Sequence, residues 1–254
     1  MYYPIQIPYV LNPTFSKSIK YTEHISPKCT GFVICFWEMQ PLSNEKITVE
    51  NIIVTDGCID LVFDYTNKII GFSGMSKTNF NFEISLPVYF FGARLTPGAF
   101  YQLTSLPASC AMDTFLPIEY AFPSFDKDRL FSLPFEQSKT YFENFLAEKI
   151  ANLSQNTFTS LFDRLTKNIP SNTKELHEIL SLSPRQCQRL FKKYYGITPK
   201  MALNIIRFQK CLEILTLTSI PLHDTGYYDQ SHFINDFKKN LGITPSQLIH
   251  TYQV

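Results

Sequence analysis

The 254 residues carry 44% hydrophobic side chains and a net charge of only +1, which is enough apolar content for real cores and room for two domains. The cysteines at 29, 35, 58, 110, 187 and 211 form no CxxC or Cys/His cluster, which argues against zinc and for small buried hydrophobes in a reducing compartment. No apolar run approaches the roughly 18 residues of a membrane span, and the proline-broken start MYYPIQIPYVLNP lacks a basic leader region, so a soluble cytoplasmic protein without a signal peptide is expected.

Residues 1–28 read as an extended arm with turns at Pro4, Pro8, Pro13 and Pro27. Short β-branched and aromatic runs follow at Gly31–Trp37, Ile47–Thr55, Ile59–Tyr65, Ile69–Phe72 and Pro87–Leu95, separated by turn signals such as Asp56-Gly57 and Thr66-Asn67. They predict a mainly antiparallel barrel or sandwich. Gly98–Leu103 suits a short helix and Pro107–Pro134 reads as irregular. Phe135–Ala151 and about Thr157–Lys167 have helical apolar spacing.

The last third is organised by a repeat. Ser183–Pro199 (SPRQCQRLFKKYYGITP) and Asp229–Pro245 (DQSHFINDFKKNLGITP) share FKKxxGITP at an offset of 46 residues, the mark of a duplicated structural unit. Ser183 and Asp229 are N-cap residues, with Pro184 and Gln186 completing a capping box in the first copy. Gly196 and Gly242 suit left-handed C-caps. Cys187, Leu190 and Phe191 fall on one face, as do Phe233 and Phe237 with Ile234 beside them. Lys174–Leu180, with Leu176, Ile179 and Leu180 inward, supplies the first helix of a helix-turn-helix. Pro199–Leu217, with Ala202, Leu203, Ile206, Cys211, Ile214 and Leu215 inward, is the longest helical run. Its 19 residues span about 28 Å, close to the separation of about 34 Å between successive major grooves. Charge agrees with this division: residues 1–169 are net −3 and residues 170–254 net +4, so the second part suits a polyanion.

The fold class expected is therefore α+β, with a β-rich regulatory domain over 1–150, a connecting helix in 151–171 and an all-α double helix-turn-helix domain over 172–254. LSPRQCQRLFKKYYGITP, IRFQKCLEIL and GYYDQSHFINDFKKNLGITP resemble the DNA-binding domain of AraC/XylS-type transcription regulators over about Thr173–Leu248. DGCIDLVFDY and FGARLTPGAFY are similar, over a shorter stretch, to a regulatory domain of some of these proteins. The resemblance implies a sequence-specific regulator of promoter DNA, such as an activator. Its base-facing positions map to Arg185, Gln188 and Arg189 in the first unit, and Gln230, Ser231, His232 and Asn235 in the second. Arginine and glutamine suit this role through bidentate bonds to guanine and adenine edges. Lys192, Lys193, Lys238 and Lys239 are the candidates for phosphate contacts. A small-molecule effector in the N-terminal domain, a homodimer and RNA polymerase are the further partners implied.

Two departures from the family pattern stand out. The stretch Leu222–Gly226 (LHDTG) is shorter by about one helical turn than the family's scaffold helix, and Asn235 stands where a basic residue is common. Weaker reading by the second unit is expected. A protein-binding regulator with a degenerate second unit is the alternative.

No cofactor, metal or catalytic centre is expected. Asp56, Asp60 and Asp64 could form a metal or acid/base site, but turn capping and surface exposure explain them better. Arg94 could meet an acidic ligand, although pairing with a buried carboxylate is favoured. Cys58 and Cys110 have no neighbouring His or Lys in sequence to activate a thiol. His24 is the lone histidine before residue 170, too few for a cupin-type metal site. Trp37 and the many Phe and Tyr residues suit either an apolar pocket or a core.

Overall fold

The structure, a computed structural model, describes residues 2–6, 13–78, 80–217 and 230–252. A short helix α1 (Pro13–Ser18) leads into β1 (Ile19–His24), then β2 (Val33–Pro41), β3 (Thr48–Ile53), β4 (Ile59–Asp64), β5 (Ile69–Ser73), β6 (Phe80–Ser85) and β7 (Phe90–Leu95). After α2 (Ala99–Thr104) come β8 (Phe115–Pro117), α3 (Lys127–Ser132), α4 (Phe135–Ile150) and α5 (Leu161–Lys167). The C-terminal helices are α6 (Thr173–Leu180), α7 (Pro184–Tyr195), α8 (Pro199–Leu217), α9 (Gln230–Leu241) and α10 (Pro245–Tyr252).

The strands form a sandwich-like pair of sheets rather than a closed barrel. The large sheet runs β1-β2-β7-β4-β5-β8 and the small one pairs β3 with β6; every pairing is antiparallel. Alternation along β4 sets the two faces. Ile59, Leu61 and Phe63 point one way and are buried, whereas Asp60, Val62 and Asp64 point the other. The first face packs on α4, whose Phe142, Leu146 and Ile150 recur at one-turn spacing. There Phe63 meets the rings of Phe91, Phe131, Phe135 and Phe142 at centroid distances of 5.3–6.2 Å, and such pairs add about 0.5–1.5 kcal/mol each beyond area burial. The second face is covered partly by Phe15, Val49, Ile84 and Leu86 around Trp37 and Met39, and partly by open space described below.

The extended arm expected over residues 1–28 instead contains α1 and β1. IKYTEH alternates, but its polar face conceals the strand from a hydrophobic reading. The Pro107–Pro134 stretch holds β8 and α3, the latter capped by Asp126, which accepts from the Arg129 N–H at 2.8 Å. α5 starts at Leu161 rather than near Thr157, because Asn156 Oδ1 accepts from the N–H groups of Phe158 and Thr159 and makes a turn there. Ile179, expected to face inward, is 42% exposed; Leu176 alone of that helix is buried.

The repeat chemistry forms as read. Ser183 and Gln186 make the reciprocal capping box on α7, and Gly196 and Gly242 take the left-handed C-cap geometry at φ +74° and +84°. α8 is buried on two faces, with Asn204, Arg207, Lys210 and Glu213 on a half-exposed stripe between them. Ala202, Leu203 and Ile206 meet α7 and α5 through Cys187, Phe191 and Leu165, while Phe208, Cys211 and Leu212 meet Phe233, Phe237 and Leu241 of α9. The helix thus holds α5, α6 and α7 on one flank and α9 on the other. Among the described residues, no helix is long and apolar enough to cross a membrane.

Candidate functional site

The polar face of α7 is presented to solvent. Arg185, Gln188, Arg189 and Lys192 are exposed, while Cys187, Phe191 and Tyr195 are buried behind them. Ser183, Arg185, Gln186 and Arg189 line a shallow groove at the start of the helix. On α9, Ser231, Asn235, Lys238 and Lys239 are exposed and Phe233 and Phe237 are buried. Gln230 and His232 lie on that helix, and their side chains fall outside the described residues, as does the whole of the shortened Leu222–Gly226 stretch. Lys193 differs from the other lysines. It is half-buried, with its ammonium 4.3 Å from the centre of the Tyr101 ring on α2.

A second site lies inside the N-terminal domain. Between β3/β6 and the second face of the large sheet is a cavity of about 740 Å³, within the usual range for small-molecule sites. Its apolar wall includes Met39, Ile53, Val62, Phe82 and Phe90, and its polar end is built on Arg94. Arg94 is 6% exposed. Its Nη1 donates to Glu23 Oε1 at 3.2 Å, and its Nε stands 3.9 Å from Asp56 Oδ2 and 3.8 Å from Asp60 Oδ1. Trp37 Nε1 donates to Asp60 Oδ2 at 2.7 Å, and Gln6 Nε2 donates to Asp56 Oδ2 at 2.8 Å. Tyr3 and Tyr21 hydroxyls donate to Glu23.

Burial pushes the Asp60 carboxyl up to about 7, against the pull of Arg94 and with added push from Asp56. Glu23 is lowered; burial opposes this, but Arg94 and its hydrogen bonds prevail. Asp60 is therefore not the exposed turn cap expected from sequence; Asp56 does cap its turn, accepting from the Cys58 N–H at 2.8 Å, but it is buried rather than exposed. Only Asp64 fits that reading, accepting from the Asn67 N–H and side chain at 2.9 and 2.7 Å. Their spacing showed a shared face, but the guanidinium that gathers them is more than 30 positions away. Arg94 pairs with carboxylates, the role favoured for it. Burial raises the thiols of Cys29 and Cys187 to about 11 and Cys35 to about 12, and that of Cys58 well above the usual range. All four are poor nucleophiles.

The two sites meet at one segment. Val54 and Thr55 are in the cavity wall, yet Val54 is also packed in the cluster of Phe208, Phe233 and Phe237. The Thr55 hydroxyl donates to Asn240 Oδ1 of α9 at 2.8 Å, and Gln209 Nε2 of α8 donates to the Thr55 carbonyl at 3.0 Å. Gln209 Oε1 accepts from the Ile5 N–H at 2.7 Å. On its other side, Tyr2 donates to the Asp56 carbonyl at 2.6 Å. Sequence reading missed Gln209 and Asn240. The signal for Gln209 was present: a neutral polar residue within the apolar run IIRFQKCL, buried to 4%, must find partners.

A family profile described as a helix-turn-helix domain matches residues 176–250, and one described as a domain of unknown function (DUF6597) matches residues 25–117. The chain is 28% identical over 134 residues to the XylDLEGF operon transcriptional activator 3 of Pseudomonas putida; the match spans 43% of this chain and 39% of that relative. It is 31% identical to the C-terminal domain of AraT, a response regulator from Geobacillus stearothermophilus, covering 35% of this chain and 80% of that one at a TM-score of 0.33. ToxT from Vibrio cholerae matches at 11% identity, covering 92% of this chain and 98% of that one, with a TM-score of 0.41.

Proposed function

We propose that this chain, an AraC/XylS-type transcription regulator, binds promoter DNA through two helix-turn-helix units under control of a small molecule in the N-terminal cavity. Arg185, Gln188 and Arg189 read one half-site, and Gln230, Ser231, His232 and Asn235 the other. Exposure of the α7 side chains supports this, since base readers must enter a groove without unburying a core. Lys192, Lys238 and Lys239 neutralise phosphates. The first unit carries most of the specificity, given the shortened Leu222–Gly226 stretch.

One observation carries the control. The residues that wall the cavity, Val54 and Thr55, are the residues that seat α8 and α9. A ligand that binds one position of this segment better than another shifts the population of docked DNA-binding units by its differential affinity. Contact with RNA polymerase and self-association are further steps of the same reading.

Selection of the full chain against a randomised DNA duplex pool, with sequencing, tests the DNA function. The expected result is one strongly enriched half-site and a weaker one about one helical turn away. Arg189→Ala should then cost about 1–3 kcal/mol of affinity, and His232→Ala distinctly less. Equal losses would contradict the ranking, and no enrichment by folded protein would favour a regulator that acts by pairing with another protein.

A further inference from the structure

The polar end of the cavity is acidic and short of donors. Glu23, Asp56 and Asp60 surround a single guanidinium, Arg94, and Asp64 stands in the same wall. An anionic ligand would compete with three resident carboxyl groups for one cation. A second, independent feature points the same way. Asn51 stands on the inward face of β3 in the cavity wall, is only 5% exposed, and its Oδ1 has no hydrogen-bond partner. A buried acceptor left unpaired is destabilising, and an incoming N–H group removes that cost.

We propose that the cavity binds an organic cation: an ammonium head seated between Asp60 and Asn51, carried on an apolar, ring-bearing body that lies among Met39, Val62 and Phe90. The body meets the apolar wall, and the head supplies the donors that the polar end lacks. This names the chemical class of the effector and rests on the control reading above.

Binding also moves a proton. Burial holds the Asp60 carboxyl near neutrality, at about 7. The groups facing it are Arg94 of β7, Glu23 of β1, Cys35 of β2, and Asp56 and Cys58 from the segment before β4. Arrival of an ammonium ion stabilises the carboxylate, so the carboxyl proton leaves to solvent and one N–H···O⁻ contact forms. Affinity for the amine therefore rises with pH from about 6 to about 8.

The test is a matched pair of probes on the full chain: 4-phenylbutylamine and 5-phenylpentanoate, which share the same body and differ in the head. Trp37, the single tryptophan of the chain, is in the cavity wall, so its fluorescence reports occupancy directly, with calorimetry for affinity. The amine should bind at least about tenfold tighter than the acid, and Asp60→Asn and Asn51→Leu should each weaken it about tenfold. Equal or tighter binding of the acid overturns the proposal, as does failure of the amine to bind wild-type protein. The wild-type comparison decides the matter even if a variant fails to fold. DNA affinity is measured in parallel. Amine binding without a change in DNA affinity would remove the control reading and leave the cation site standing.

Discussion

The two repeat helices α7 and α9 rest on the N-terminal domain at equivalent points and by different chemistry. Tyr194 of α7 and Asn240 of α9 occupy the same place in the 46-residue repeat. Tyr194 stacks on Phe158 at 4.4 Å and meets Tyr101 edge-on at 4.9 Å. Asn240 instead accepts a hydrogen bond from Thr55, in the wall of the cavity. The first seat is aromatic, and the second is a hydrogen bond to a residue of the cavity wall; α7 also reaches that wall, through the apolar packing of Cys58 and Met75 with Cys187, Phe191 and Tyr195. The two copies of the repeat thus meet the N-terminal domain through different contacts. The difference lies in partners rather than in the helices, whose buried faces match closely (Phe191 with Phe237, Tyr195 with Leu241).

The largest test of this contrast is Arg94→Met. It leaves the Glu23, Asp56 and Asp60 carboxyl groups without their cation, and breaking such a buried cluster typically costs about 3–5 kcal/mol. Thermal unfolding should show that loss. Hydrogen exchange should be sharper: amides of α9 speed up more than those of α7, because α9 holds the 54–58 segment through the Thr55–Asn240 hydrogen bond, whereas α7 meets it through apolar packing on Cys58. Equal acceleration in both helices would break the contrast.

Asp60 gives the same cluster a pH signature. Its folded value of about 7 lies above the ordinary 3.8, so between those values the folded state holds a proton that the unfolded chain has released. Stability then falls as pH rises from about 4 to about 7 and is flat above, by a few kcal/mol. Asp60→Asn should remove that slope in a pH series of thermal midpoints; an unchanged slope would assign it to another group.

What could be read from sequence divides along the same line. The repeat, its capping box, its glycine caps and the full length of α8 were legible because each depends on residues within a few positions of one another. Asp64 was legible for that reason too, since its partner Asn67 is three residues on. The seats were not. Asp56 and Asp60 showed short polar side chains near a turn, and nothing local indicated Arg94 across the sheet or Gln6 from the chain start. Thr55 and Asn240 are 185 residues apart, and each looks ordinary alone. β1 and β6 were overlooked because IKYTEH and FNFEIS alternate polar and apolar residues without the continuous β-branched runs that marked β2 and β7.

Gln209→Leu separates the seats at moderate cost. It keeps the volume of the side chain but leaves the Thr55 carbonyl and the Ile5 N–H unpaired, about 1–3 kcal/mol. The second unit should be released. Native-state proteolysis near α9 should increase while α7 stays protected, and any effect of a cavity ligand on DNA affinity should shrink. If α7 becomes equally susceptible, the two units move as one body.

The smallest effect tests the first seat and the lysine assignments together. Lys192 is exposed, whereas Lys193 is half-buried over Tyr101 with its ammonium 4.3 Å from the ring centre, a contact of about 0.5–1 kcal/mol. A lysine held there has its charge directed at the N-terminal domain. Lys192→Met should therefore lower the salt dependence of DNA affinity by about one unit of slope. Lys193→Met should leave the slope nearly unchanged and loosen the α7 seat by the cation–π contribution alone, read as faster exchange at the end of α7. If both substitutions lower the slope alike, Lys193 leaves Tyr101 when DNA binds, and the aromatic seat is released as well as the polar one.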